Sequence, residues 1–494
     1  MAKKHLLIFY TVSVCKPCPM DVQYFGGRHP VMERAEMEDH AMNDQNLRKE
    51  SDTMGGVLVP GDAYYGANTQ RAVENFAISG LCFQPVFIQM LALTKKFAAV
   101  VNNRLGLLDE QISKAIVSAA MDVIEGTLDD QFVVDIFQTG SGTSTNMNMN
   151  EVLATRANES LTGAKRGRHP VHPNDHVNLG QSSNDVIPSV IHMAALSQIN
   201  ARLVPALEKL FRALSEKAVL FSDIKKIGRT HLQDAVPMAL GQEFSGYARQ
   251  VELGILRIKT ASKNLESLAL GGTAIGTGVN THEDFAKNVI RLISEETGYS
   301  FHESDNHFEA QGAQDAAVET SGALKTVAVS LLKIANDIRW LSSGPRAGLG
   351  EITLPALQPG SSIMPGKVNP VIPEAVVQVV AQVLGNDTTI TIGAQTAYLE
   401  LNTMLPVIGY NLLQSIGLLS SAAELFAEKC IDGITANRAV CEFNIENSLA
   451  MATYLVPHVG YDKAAAIAKR AHETGKTVRE IALTEENLPG SFLP

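Results

Sequence analysis

The sequence predicts a mainly α-helical protein: a long central helical bundle with smaller N- and C-terminal domains. Apolar residues recur at spacings of three and four over long stretches, as in Ala195, Ile199, Leu203, Leu207, Leu210 and Leu214, and again in Leu324, Ala328, Leu331, Ile334, Ile338 and Leu341. Mixed β-branched residues with Gly and Pro punctuation, the signal of short strands and turns, stand out in residues 48–79. A chain of 494 residues, 45% of them hydrophobic, is long enough to bury a large core. These patterns divide the chain into four segments: a leader over residues 1–47, an N-terminal domain over 48–180, the bundle over 181–438, and a small, shortened C-terminal helical domain over 439–494.

Composition narrows the function classes. With 19% charged residues and a formal charge of -11, the chain is acidic, which argues against a nucleic-acid-binding surface. Net acidity also opposes long-range steering of an anion, so any anion site must be built from local Lys, His, hydroxyl and backbone N–H groups. Runs of 18 apolar residues are absent, so no membrane span is predicted. Cys15, Cys18, Cys82, Cys430 and Cys441 are too scattered for a disulfide framework and fit a reducing, cytoplasmic setting.

The leader differs in composition from the domain after it. Lys3 and Lys4 precede a weakly apolar run, Leu6 to Val14, that is short for a signal peptide and lacks a convincing cleavage site. Cys15 and Cys18 have C-x-x-C spacing but no second pair, so chance is the better reading. A second Met at position 42 makes an over-extended start or a disordered tail the expectation here.

Helical patterns occupy about 85–106 and 110–127, and then Gln138-Thr-Gly-Ser-Gly-Thr-Ser-Thr-Asn forms the first polar cluster. Ser141 and Thr143 sit where a helix starts, and a helix start presents free N–H groups to a carboxylate. His172 to Asp185 repeats that logic, with Ser182, Ser183 and Asn184 ahead of a long helix that Pro205 bends. His169, His172 and His176 lie close in sequence, but Pro170 and Pro173 break the spacing that zinc motifs use, so neither a metal nor a cofactor is expected. Thr230 and His231 lie in Gly228-Arg-Thr-His-Leu-Gln-Asp234, a polar stretch ahead of another helical run to about 269; imidazole is the side chain best suited to proton transfer near neutral pH. Gly271 to Gly278 is Gly-rich without the lysine of a P-loop and reads as a shaped connector.

The segment Gly360-Ser-Ser-Ile-Met-Pro-Gly-Lys-Val-Asn-Pro-Val-Ile-Pro-Glu374 is the densest in chemistry. It offers a possible proton acceptor in its serines, a fixed charge in Lys367 and an amide donor in Asn369. Beyond it, the chain to about Cys430 is helical with few charges, as expected of a segment buried on several sides, and a small helical region begins near Asn437.

Gly360 to Pro370 resembles the signature of the fumarase/aspartase superfamily, and matches in the family's order cover roughly residues 48–481. The whole is most similar to the class II fumarases. That resemblance implies reversible hydration of fumarate to (S)-malate, a step of the tricarboxylic acid cycle, by a homotetramer whose active sites combine segments from three subunits. It assigns Ser361 as the base for the carbon-bound proton and Glu374 as the carboxylate that orients His231, which protonates the departing hydroxide. It implies substrate binding by Ser141, Thr143, Ser182, Ser183, Asn184, Thr230, Ser362, Lys367 and Asn369, and a second anion site at His172, Asn174 and Asp175.

The closest alternative is aspartate ammonia-lyase. An amine leaves already protonated and needs no acid, and aspartases typically carry Gln where this chain has His231. The Thr139–Thr143 and Asn306–Ala310 segments are also closer to fumarase patterns. Val371-Ile-Pro-Glu374, His176 and Gly433–Asn437 resemble aspartases instead, without supplying an amine-specific group. A catalytically inactive structural tetramer is the reading from another class. After Ile481 the resemblance fails, where relatives usually continue through another helical segment.

Overall fold

The computed structural model describes residues 47–165 and 167–493. The apolar run Leu6–Val14 and the Cys15/Cys18 pair lie outside them. In chain order, strands β1 (Leu47–Asp52) and β2 (Gly55–Pro60) precede helices α1 (Ala67–Asn75), α2 (Pro85–Arg104), α3 (Glu110–Ile124), α4 (Thr143–Thr162), α5 (Ser183–Gln198) and α6 (Val204–Leu220). Strands β3 (Lys225–Thr230) and β4 (Gln233–Ala239) lead into α7 (Leu240–Ala261), and the two-residue strands β5 (Ser267–Leu268) and β6 (His302–Glu303) flank α8 (Phe285–Thr297). Then come α9 (His307–Gly312), α10 (Asp315–Leu341), β7 (Ile352–Thr353), α11 (Val371–Gln395), α12 (Leu405–Lys429), β8 (Thr435–Ala436), α13 (Arg438–Asn447), α14 (Val456–Val459), α15 (Tyr461–Thr474) and α16 (Val478–Thr484). The protein is mainly helical, as its periodicity predicts.

The chain forms two compact units. The first runs to Val190 and takes in Leu270–Gly298. Within it β1 and β2 pair antiparallel, and α2 packs against α3, α4 and α8. Pro85 opens α2 at a position where its missing N–H costs nothing, and Asp109 caps α3 by accepting from the N–H groups of Gln111 and Ile112. The first turn of α1 is closed by a carboxylate from another helix: Glu151 of α4 accepts from Gly66 N, Asn68 N, Thr69 N and Thr69 Oγ1. An otherwise orphaned helix start and a buried carboxylate satisfy each other.

The second unit comprises Ile191–Ala269 and the chain from Tyr299 onward. Its core is a bundle of α6, α7, α10, α11 and α12. The predicted stripes are its interior: Leu207, Leu210 and Leu214 of α6, and Leu324, Ala328, Leu331, Ile334 and Ile338 of α10, are all buried. Each large aliphatic side chain so buried contributes about 1.5–3 kcal/mol relative to exposure. Near Pro205, where the sequence places a bend, a π-helical turn, Ile199–Leu203, immediately precedes α6. Pro205 has no N–H to give the preceding turn, and a widened turn absorbs the mismatch.

Two stretches differ from the sequence reading. The polar stretch ahead of α7 is a β-hairpin, and α7 ends at Ala261 instead of running to about 269. The long helical segment after Pro370 is two helices, α11 and α12, packed on each other. Between them Asn402 donates to Gly393 O at 3.0 Å and accepts from Met404 N at 2.8 Å, ending one helix and starting the next. Near the C-terminus, Met451, Leu455, Ile467, Ala471, Val478, Ile481 and Leu493 form a small separate core within the second unit.

Candidate active site

In the first unit two helix starts share hydrogen-bonded hydroxyls. Gly142 precedes α4 in the left-handed region at φ 73°, and a Cβ there would meet Ile187 at 3.0 Å. That turn sets Ser141 Oγ 2.7 Å from Thr143 Oγ1, which lies 2.6 Å from Ser183 Oγ at the start of α5. Ser141 and Ser183 are 7% and 8% exposed, so the chain of hydroxyls is largely shielded from bulk water. Two positive dipole ends with hydroxyl donors suit a carboxylate.

The second start is tightly held. Asn184 N donates to Ser182 Oγ at 3.2 Å, and Ser182 N to Asp185 Oδ1 at 2.9 Å, a capping arrangement in which Asp185 takes the Glu position. Asp185 Oδ2 accepts from Gly271 N and Thr273 N, both at 3.0 Å, and Asn184 Nδ2 donates to Ala274 O at 2.8 Å. The Gly-rich connector is therefore the clamp on this turn. Burial pushes the Asp185 carboxyl above its ordinary range, against the pull of those three N–H groups.

His172 caps a π-helical turn, Pro173–Val177, by accepting at Nδ1 from Asn174 N and Asp175 N, both at 3.2 Å. Burial lowers its proton affinity, and with Nδ1 acting as acceptor the ring is neutral and carries its proton on Nε2. The Asp175 carboxylate 3.3 Å from Nδ1 therefore forms no ion pair with it. Asn174 and Asp175 are exposed beside it. Among the described residues, no group of three His, Cys, Asp or Glu side chains is placed to hold a metal ion.

In the second unit, Thr230 ends β3 and His231 occupies the tip of the β3–β4 hairpin. His231 and Leu232 are both left-handed, at φ 56° and 60°, in a two-residue turn whose usual residues are Asn and Gly. Non-glycine residues adopt this region at a cost, and such strain collects at functional positions. The strand behind the tip is anchored by buried charge. Lys226, 1% exposed, reaches Glu243 at 2.8 Å and Glu351 at 3.2 Å, while Arg229 reaches Glu351 at 2.9 Å and Asn444 Nδ2 donates to it at 3.1 Å. Burial acts to raise the Glu351 carboxyl, but Arg229, Lys226 and Asn444 hold it below the usual carboxylate range. At the tip itself, Leu232, Gln233 and Asp234, with Asn447, Leu449 and Lys476, help line an open cleft of about 650 Å³.

The Gly360–Glu374 segment is a closed loop leading into α11. Gly360 N donates to Lys367 O at 2.7 Å, and Asn369 Nδ2 donates to Gly360 O at 2.8 Å. A side chain at Gly360 would press on Asn369 N and Lys367 O, each 2.8 Å from the Cβ position. Inside the loop Ser361 Oγ accepts from Ile363 N at 3.2 Å and Met364 N at 3.0 Å. Two N–H groups aimed at one hydroxyl oxygen favour its deprotonated form. Ser362 and Lys367 are exposed, and Glu374 sits half-buried in the first turn of α11.

Within one chain, the structure brings together Ser141, Thr143 and Ser183, with Ser182 and Asn184 in the adjoining turn. Thr230 and His231 form another group, and Ser361 to Glu374 a third. Among the described residues, no hydrogen bond links His231 to Ser361, Lys367 or Glu374. Sequence reasoning missed the hairpin, the anchoring role of Asp185 and the two N–H donors to Ser361. Only Asp185 carried a signal, the Ser-x-x-Asp spacing from Ser182.

The class of protein comes from the family: residues 55–385, which hold the hydroxyl-rich helix starts, the His231 hairpin and the Ser361 turn, match the family model described as Lyase. Residues 451–491 match a second, described as Fumarase C C-terminus. Class II fumarate hydratase from Nitrosomonas europaea is 54% identical over 436 residues, spanning 88% of this chain and 94% of that protein. The class II fumarate hydratase of Halobacterium salinarum is 55% identical over 439 residues, 89% and 93% of the two chains. The crystal structure of class II fumarase from Schistosoma mansoni superposes with a TM-score of 0.86 at 40% identity, covering 90% of this chain and 96% of that one. This chain belongs to the class II fumarase family.

Proposed function

We propose that this enzyme, a lyase, adds water across the double bond of fumarate to give (S)-malate, and catalyses the reverse elimination. The observation that carries the reading is the Ser361 turn beside Lys367 and Asn369, on a chain that retains an imidazole at position 231. In the elimination direction Ser361, as an alkoxide steadied by Ile363 N–H and Met364 N–H, takes the proton from the carbon next to a carboxylate. Negative charge then builds on that carboxylate. Lys367, Asn369 and Ser362 meet it, while Ser141, Thr143, Ser182, Ser183, Asn184 and Thr230 hold the dicarboxylate in place. His231 protonates the hydroxide as it leaves, and Glu374 orients that imidazole.

In this reading active sites are assembled from segments of three subunits of a homotetramer in the cytoplasm, and the reaction serves the tricarboxylic acid cycle. His172 Nε2–H, Asn174 and Asp175 form a second anion site apart from the chemistry. The domain boundaries in this reading are 48–180, 181–438 and 439–494. No helix among the described residues is long and apolar enough to cross a membrane. The ammonia-lyase alternative is not favoured, because the relatives from Nitrosomonas europaea and Halobacterium salinarum are named as hydratases.

The test is to follow the absorbance of the fumarate double bond with purified enzyme given L-malate or L-aspartate. Fumarate from malate alone is expected. Fumarate from aspartate alone would overturn the role given to His231, and silence with both would favour the inactive structural tetramer.

A further inference from the structure

Lys95 lies midway along α2 with no exposure to solvent. Its ammonium donates to two neutral groups, Asn178 Oδ1 at 2.9 Å and Gln181 Oε1 at 3.0 Å. Asn178 Oδ1 accepts two further bonds, from Asn146 Nδ2 and Asn150 Nδ2 of α4, each at 3.1 Å. Asn178 Nδ2 in turn donates to Gln181 O at 3.1 Å. The Oδ1 atoms of Asn146 and Asn150 are buried with no hydrogen-bond partner among the described residues. A cation is thus wired by amides to the segment ending in Ser182, Ser183 and Asn184. Asp185 follows that segment directly and is also fully buried, committed to Ser182 N, Gly271 N and Thr273 N.

Burying a lysine without a carboxylate in hydrogen-bonding contact is costly. Other charges around α2 are engaged elsewhere. Lys96 pairs with Glu296 of α8, Lys114 of α3 with Glu110, Asp122 of α3 with Arg156 of α4, and Glu151 of α4 is spent on the start of α1. In the Pro173–Val177 turn, His172 is neutral, Asp175 is exposed, and His176 Nδ1 accepts from His172 N. Asp185 is the charge that acts on the Lys95 ammonium.

We propose that Lys95 is a positioning residue for the substrate. Its ammonium, acting through Asn178 and Gln181, holds the Ser182–Asn184 turn in its binding geometry and adds a full positive charge to the partial charge of the helix start, so a dicarboxylate binds there with uptake of a proton by Lys95. This rests on the reading of Ser182, Ser183 and Asn184 as substrate-binding. Burial brings the Lys95 ammonium down to about 7, with Asp185 opposing the shift, so near neutrality the free enzyme is only partly protonated there. Two incoming carboxylates favour the charged form. As pH rises through that range the charge is lost and KM rises, while kcat, set by Ser361 and His231, does not follow the Lys95 charge.

The experiment is calorimetric titration of the full-length enzyme with succinate, a saturated dicarboxylate that cannot be hydrated, in two buffers of different ionisation enthalpy near neutral pH. Wild type and His231→Asn are expected to take up a substantial fraction of a proton per site. Lys95→Met should lose that uptake, raise KM about ten-fold with kcat within about three-fold, and show a KM that no longer climbs between about pH 6.5 and 8.5. Uptake persisting in Lys95→Met, or kcat and KM damaged together with an unchanged pH profile, would overturn the proposal. Ser183→Ala separates the two layers: if it binds succinate as well as wild type, the substrate-binding reading itself fails. If Ser183→Ala binds weakly and Lys95→Met binds normally, only the role of Lys95 fails. Should Lys95→Met not fold, absence of proton uptake in His231→Asn decides against it.

Discussion

Ser361 presents its hydroxyl oxygen to two backbone N–H groups, and this sets what its removal should do. Ser361→Ala deletes the acceptor, not the loop, because Gly360 N to Lys367 O and Asn369 Nδ2 to Gly360 O close the turn without it. The expected outcome is a fall in kcat of about 10²- to 10⁴-fold with thermal stability and assembly unchanged, measured by steady-state assay and size-exclusion chromatography. Altered assembly with retained turnover would remove Ser361 from the chemistry. His231→Asn keeps a polar side chain on the turn but loses the acid. It should slow malate dehydration on a similar scale, and an unaffected rate would mean that another group protonates the hydroxide. Residue types were the legible part of this site: hydroxyls at helix starts, Lys367, Asn369 and His231 all stood out in the sequence. The N–H groups of Ile363 and Met364 did not, because any residue carries a backbone donor and only the fold aims it.

The β3–β4 hairpin was not legible, and the reason is local. A two-residue hairpin is announced by Asn-Gly or a similar pair, whereas here His231 and Leu232 take up the left-handed region instead. The strands are held by the charge cluster of Lys226, Arg229, Glu243 and Glu351, and its central carboxylate, Glu351, lies more than a hundred residues from the hairpin. The turn residues are thus chosen against local preference. Leu232 is 65% exposed, so Leu232→Gly gives up little packing while relieving the backbone, and should raise stability by up to about 1 kcal/mol in denaturant titration. A loss of stability instead would show that Leu232 is held by the cleft residues Asn447 and Leu449. The start of α4 makes the opposite case. Gly142→Ala forces a side chain into a left-handed position and against Ile187, and should cost about 1–2 kcal/mol and raise KM by disturbing Ser141 and Thr143. Unchanged KM would detach that turn from substrate binding.

At the scale of the whole molecule, the helical bundle could be read from spacing alone, because the stripes in α6 and α10 are the faces that the core buries. The division into two compact units could not, since Leu270–Gly298 returns to the first unit after the chain has entered the second, and no composition shift marks a long-range contact. The proposed sharing of active sites between subunits can be tested at this scale. If each active site draws Ser183 and His231 from different subunits, two inactive variants can repair each other. Ser183→Ala and His231→Asn subunits, denatured together and refolded as mixed assemblies, would then leave some sites with both native residues. For random mixing, each residue is native with a chance of about one half, so about a quarter of sites regain activity. A site built within one subunit would never hold both native residues, and the mixture would stay as inactive as its components. Malate dehydration by the mixture, compared with each variant refolded alone, therefore measures directly whether the sites are shared.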